Sequence, residues 1–247
     1  MTGRGGGEEM AEAAGAAGVV RVAACDLRAG DGRWPYAEAS AAAIDRHWAR
    51  RTSENPGFFD GTVYVVGAHR IDGGTLSGTL LPVAFRSFLY WREQGFPESG
   101  VRDGFGSALI RSAEGHILVG RQNPGRLNSG LSYLPSGLID PRDVAGDGRV
   151  DIVASIRREV REETGLGDAD LEPRPGFVLT RAGAQLSIAA ELQSPLPAAA
   201  LAARIGAHIA GEDDPELAGV SFIACRADLA GLALPRFTRV LLETLFG

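Results

Sequence analysis

The sequence predicts an α/β protein in which a mixed sheet carries helices on both faces, preceded by a smaller α+β layer. Short β-branched runs recur between Gly/Pro-rich turns, and long helical patterns are interleaved with them. With 247 residues and 45% hydrophobic content, the chain can bury one large core or two modest ones.

Residues 1–18 are rich in Gly, Ala and Glu, lack large apolar side chains and are expected to form a disordered tail. They contain no signal-peptide core. "VVRVAAC" (Val19 to Cys25) reads as one strand, and "PYAEASAAAIDRHWARR" as a helix with Ile44 and Trp48 on one face. "TVYVVGAHRI" and "GGTLSGTLLPVAF" form a hairpin about "IDGG", and "RSFLYWREQG" is a short helix. Residues 19–100 are therefore taken as one α+β unit.

Residues 101–247 form the second unit. "FGSALIRS" and "HILVGRQ" are strands joined at Ala113 to Gly115, followed by the loop "NPGRLNSG", the apolar run "LSYLP" and a turn-dense stretch to Val150. A helix spans Asp151 to Thr164, with Asp151 as N-cap and Gly165 as stop. "GFVLTRAG" and "QLSIAAELQS" are strands, "PAAALAARIGAHIA" a helix, "LAGVSFIAC" a strand and "PRFTRVLLETLF" a closing helix.

Charge and composition exclude several classes. A net charge of -6 without a basic block argues against broad contact with nucleic acid. No apolar stretch is long enough to span a bilayer, so a soluble cytoplasmic protein without membrane partners is expected. Cys25 and Cys225 are too few for a disulfide framework or a cysteine zinc site and are read as small buried hydrophobes. The four histidines show no ligand spacing and are read as structural or surface residues.

The helix from Asp151 carries the chemistry. At about 100° per residue, Ile152, Ile156 and Val160 form a core-facing stripe. Glu159 and Glu163 stand seven residues after Ile152 and Ile156, on the shoulder of that stripe, with Glu162 one step further round. Carboxylates beside a core face are partly desolvated and repel one another. Two readings follow from spacing alone: a Mg²⁺ site of oxygen ligands, or a charged face of Glu/Arg pairs.

The ordered string Arg158-Glu159-Val160-Arg161-Glu162-Glu163-Thr164-Gly165-Leu166 resembles the second half of the Nudix box, and "YLPSGLID" resembles the turn that precedes it. The resemblance to the Nudix hydrolase superfamily runs from about Gly104 to the C-terminus. It implies an α/β/α sandwich and Mg²⁺- or Mn²⁺-dependent cleavage of nucleoside diphosphate derivatives. Matched position by position, it implies metal binding by Glu159, Glu162 and Glu163, and a backbone ligand at Gly137. Arg158 would orient a box glutamate, and Glu216, or less well Glu212, would be a further acid before a late strand. Arg121 and Arg126 are candidate substrate cations, with solvent-facing loop arginines as the other reading.

Two departures stand out. From Gly137 to Arg158 the box is about seven residues longer than the family pattern, so an insertion lies within "IDPRDVAGDGRV". Counting back from Arg158 puts the box's first glutamate position at Val150, which predicts a modified loop beside an intact metal site. Ser136 also stands where a second glycine is common. The Asp-rich insert lacks EF-hand spacing and reads as a solvated turn.

Asp45 to Gly61, "DRHWARRTSENPGFFDG", is similar to the segment that precedes the Nudix domain in UDP-sugar hydrolases. This implies a nucleotide sugar or related nucleoside diphosphate as substrate, and leaves a homodimer open. The alternatives are a Nudix-fold nucleotide-binding or sensor module without turnover, and an interaction role for the N-terminal unit.

Overall fold

The structure is a computed structural model and describes residues 17–247. Most of the expected tail therefore lies outside the described residues, while Gly18 already opens a strand. The chain begins with β1 (Gly18–Val22) and β2 (Ala24–Ala29), then α1 (Pro35–Ala39) and α2 (Ala41–Glu54). The hairpin of β3 (Thr62–Asp72) and β4 (Thr75–Ala84) and the helix α3 (Phe85–Glu93) follow. β5 (Asp103–Arg111), β6 (Ile117–Gln122), β7 (Ser132–Tyr133) and β8 (Ser136–Leu138) lead into α4 (Ile152–Thr164). The chain closes with β9 (Glu172–Ala182), β10 (Gln185–Gln193), α5 (Ala198–Gly211), β11 (Leu217–Ile223) and α6 (Arg236–Leu245).

The larger sheet runs β1-β9-β10-β5-β6-β11. β10 pairs with β5 in parallel and the remaining pairs are antiparallel, so the sheet is mixed, as expected. Side chains alternate between its faces. Ala108, Ile110, Leu118, Leu179 and Ile188 join Ile152, Ile156 and Val160 of α4 with Leu201 and Ile205 of α5 in one core. Leu109, Ile117, Val119, Val178 and Ala189 point the other way, onto Leu241 and Leu242 of α6. Helices thus cover both faces. Each fully buried Ile, Leu or Val contributes about 1.5–3 kcal/mol by leaving water.

The smaller sheet, β2-β4-β3, packs Val63, Val65 and Val83 under Trp34, Phe88 and Trp91. Its other face, with Leu27, Val66, Leu76 and Leu80, shares the α4 core. "VVRVAAC" is not one strand: β1 pairs with β9 in the large sheet, and β2 pairs with β4 in the small one. The long helix expected at Pro35 likewise divides at Ser40. Cys25 is half-buried and packs against the core, whereas Cys225 is exposed, which corrects the buried reading there. Cys225 sits past the end of β11 at the head of a short 3-10 turn, where its N–H donates to Asp228 at 3.0 Å.

What positions the site is a split in the large sheet. β5 and β6 pair only at Arg111 and Ile117. Beyond that point β8 lies against β5, with Gly106 opposite Gly137, and β7 lies against β6, with Gly120 opposite Tyr133. The strands part beyond that point, and α4 packs on β5 and β8. Gly106 permits this approach, because a Cβ there would lie 2.8 Å from Ile156 Cγ1.

Candidate active site

α4 is fixed at both ends by its own sequence. The Asp151 carboxylate accepts from the Ala154 N–H at 2.9 Å, and Gly165, at φ +68°, ends the helix in the left-handed conformation. The side chains follow the periodicity of the sequence: Glu163 is 3% exposed, Glu159 half-buried and Glu162 exposed.

Glu159 rests against the backbone of β8. A Cβ on Gly137 would come within 2.1 Å of its Cδ, so only glycine leaves room. Burial, followed by repulsion from Glu162, pushes the Glu159 carboxyl up to about 7, with Glu216 adding to the rise and Arg158 opposing it. Glu163 is pushed well above the usual carboxylate range, first by burial and then by Glu216 and Glu159, although it accepts the Ser136 N–H. Ser136 is itself held, donating to the Leu134 carbonyl at 2.6 Å and lying 2.9 Å from Ser107 Oγ.

Arg158 offsets this cluster only in part, since Asp143 also engages it. Its guanidinium meets Asp143 Oδ1 at 2.5 Å and Glu159 Oε1 at 3.3 Å. Asp143 also accepts from Ser155 Oγ at 3.1 Å and from the Asp140 N–H at 3.0 Å. It stands six residues after Gly137, so counting forward from the glycine finds what counting back from Arg158 misses. Val150, where the backward count put that position, is an 8% exposed core residue whose N–H bonds to the Leu27 carbonyl. The extra residues are Val144 to Val150, pinched off by a bridge between their ends. Asp151 N–H donates to the Asp143 carbonyl at 2.8 Å across the base of this loop. The loop is not a free solvated turn: Gly148 accepts from the Ala29 N–H at 2.9 Å, and Arg28 and Arg149 bridge.

A cavity of about 300 Å³ opens beside the acids. Glu159, Gly137, Glu216 and Arg126 line it, as do Arg92 of α3, Arg142, Asp103 and Gln185. Arg121 is exposed and not among the lining residues, and Glu212 pairs instead with His208 at 3.6 Å. Arg92 and Asp103 escaped the sequence reading because only long-range packing brings them here. Asn55 of the "NPGF" segment donates to the Gly125 carbonyl at 3.2 Å, holding the loop that carries Arg126.

Among the described residues no three carboxylate, imidazole or thiol side chains are gathered closely enough to enclose an ion. The donor chemistry nevertheless fits Mg²⁺ or Mn²⁺. The available donors are hard oxygens, two of the carboxylates are desolvated, and Arg158, which meets Glu159, is shared with Asp143.

No family model matches the sequence, and no curated protein matches it. Solved structures do. A Nudix hydrolase from M. smegmatis, RenU, is 17% identical, covers 58% of this chain and 83% of its own, and has a TM-score of 0.40. The MutT protein of Methanosarcina mazei Go1 is 23% identical over 58% of this chain and 91% of its own, with a TM-score of 0.38. A Nudix hydrolase from Nitrosomonas europaea is 17% identical over 58% and 88%, with a TM-score of 0.38. The matched structures also include the C-terminal domain of mouse MUTYH, 11% identical, and NrtR of Shewanella oneidensis, 18% identical. Among the described residues, no helix is long and apolar enough to cross a membrane.

Proposed function

We propose that this protein is a Nudix-type diphosphatase that hydrolyses the diphosphate linkage of a nucleoside diphosphate derivative, such as a nucleotide sugar. The products would be a nucleoside monophosphate and a phosphorylated partner. The observation that carries this reading is the placement of Glu159 and Glu216 on the same cavity as Arg92, Arg126 and Arg142. Glu163, buried behind them, feels both acids.

Glu159, Glu162, Glu163 and the Gly137 carbonyl would hold the divalent cation. Bound there, it would supply charge neutralisation at the diphosphate and a more acidic water. The arginines that line the cavity bind the phosphate oxygens, with Arg142 anchored by Asp140 at 2.6 Å and Arg126 by Asp214 at 2.9 Å. A box carboxylate or Glu216 accepts the proton of the attacking water. Arg158 acts through Glu159, holding its carboxylate while Asp143 holds the guanidinium.

The test is a panel of nucleotide sugars, dinucleotides and nucleoside triphosphates with Mg²⁺, with products identified by mass. A nucleoside monophosphate plus a phosphorylated partner supports the reading, and orthophosphate as sole product overturns it. If no diphosphate is turned over by the purified protein, the non-catalytic sensor reading takes its place.

A further inference from the structure

The end of the cavity away from the acids holds an anomaly. Asp103 is 2% exposed, and burial raises its carboxyl, with the Gln185 hydrogen bond and the charge of Arg92 opposing the rise. Gln185 Nε2 donates to its Oδ2 at 3.0 Å, while Oδ1 is buried with no partner. A buried acceptor left unmade costs free energy, so a protein retains one where something else completes it.

The surroundings say what. Phe105 and Phe237 meet edge to face at 4.9 Å between ring centroids and line the same cavity. Tyr133 packs on Phe237 at 6.2 Å, and its hydroxyl accepts from Asn128 Nδ2 at 2.9 Å, which leaves its own proton to donate. Along β5, Asp103, Phe105 and Ser107 share one face. Asp103 stands three residues, about 10 Å, from Gly106, which faces Gly137 at the acidic end. A flat ring between phosphate and acceptor suits that spacing.

We infer that Asp103, oriented by Gln185, is the specificity-determining residue for the nucleobase: its unpartnered oxygen accepts a base N–H while the ring packs on Phe105 and Phe237. This rests on the proposed diphosphatase reading only in placing the phosphate at the acidic end. Sugar hydroxyls offer the same donor chemistry, and the aromatic wall favours a base over them.

The experiment is calorimetric binding of GMP, UMP, AMP, CMP and ribose 5-phosphate, with Mg²⁺, to the full chain and to Asp103→Asn. For the wild type, one nucleotide should bind at least about tenfold tighter than ribose 5-phosphate. In Asp103→Asn that gap should close while ribose 5-phosphate binding is unchanged. A wild type without the gap, or a folded Asp103→Asn that keeps it, overturns the inference. Should Asp103→Asn fail to fold by circular dichroism, Phe237→Leu serves instead: a narrowed gap supports base recognition and an unchanged gap overturns it. Absent turnover on every diphosphate would sink the hydrolase reading but leave the binding result standing.

Discussion

Asp143 and Glu163 are buried to the same degree, each 3% exposed, and lie on either side of Arg158 in one loop-helix unit. Their company is opposite. Asp143 receives the guanidinium, a serine hydroxyl and a backbone N–H. Glu163 receives one N–H and faces Glu216, Glu159 and Glu162. Burial alone therefore does not decide what a carboxylate is for; the balance of charge around it does. One of these acids is matched by donors and an opposite charge, and the other is crowded by like charges.

Substitutions at the two positions should accordingly separate stability from activity. Asp143→Ala leaves Ser155 Oγ and the Asp140 N–H without this acceptor and Arg158 with only Glu159, Asp140 and Glu162 beside it, and should cost about 1–3 kcal/mol of stability in denaturant unfolding. If it melts like the wild type, Asp143 does not hold the loop. Glu163→Gln should do the reverse, lowering Mg²⁺-dependent turnover by roughly 10²–10³-fold, by analogy with removal of a single transition-state-stabilising group. Its melting temperature in chelator should equal or exceed that of the wild type, because a repelled charge has gone. A destabilised Glu163→Gln in chelator would erase the contrast.

A pH titration sharpens it further. The Glu159 and Glu163 carboxyls are raised on folding, so their contribution to stability is fully present below their ordinary value of 4.5. It is lost as pH rises, through about 7 for Glu159, with Glu163 shifted in the same direction. Metal-free protein should lose on the order of 1 kcal/mol across that window, after allowing for solvent screening. Saturating Mg²⁺ should flatten the slope, as should Glu159→Gln combined with Glu163→Gln. The smallest effect on turnover is expected from joining Asp143 directly to Asp151, deleting residues 144–150. The hydrogen bonds to β2 are lost, for about 1–3 kcal/mol, while the Asp143–Arg158 pair and turnover persist. Lost turnover in this variant would show that the loop reaches the acids.

Much of the acidic end was legible in the sequence, because a helix converts spacing into direction: Ile152 and Ile156 locate Glu159 and Glu163 without further knowledge. Asp143 was legible from one direction only, since an insertion shifts every count that crosses it. β7 and β8 escaped because runs of two or three residues show no period. "VVRVAAC" concealed a change of sheet at Ala23 that no propensity signals. The far end of the cavity was not legible at all. Asp103 and Gln185 are 82 residues apart in sequence and meet through the parallel pairing of β5 and β10.

The loop of residues 144–150 leaves and rejoins the chain at the Val144–Val150 bridge and the 2.8 Å hydrogen bond between Asp151 and Asp143. Mechanically it is a closed side branch, and strain applied at its tip is taken up at the bridge before it reaches Arg158. Asp147, exposed at that tip, is therefore a place to attach a reporter dye that would follow the seating of β2 without disturbing the carboxylates.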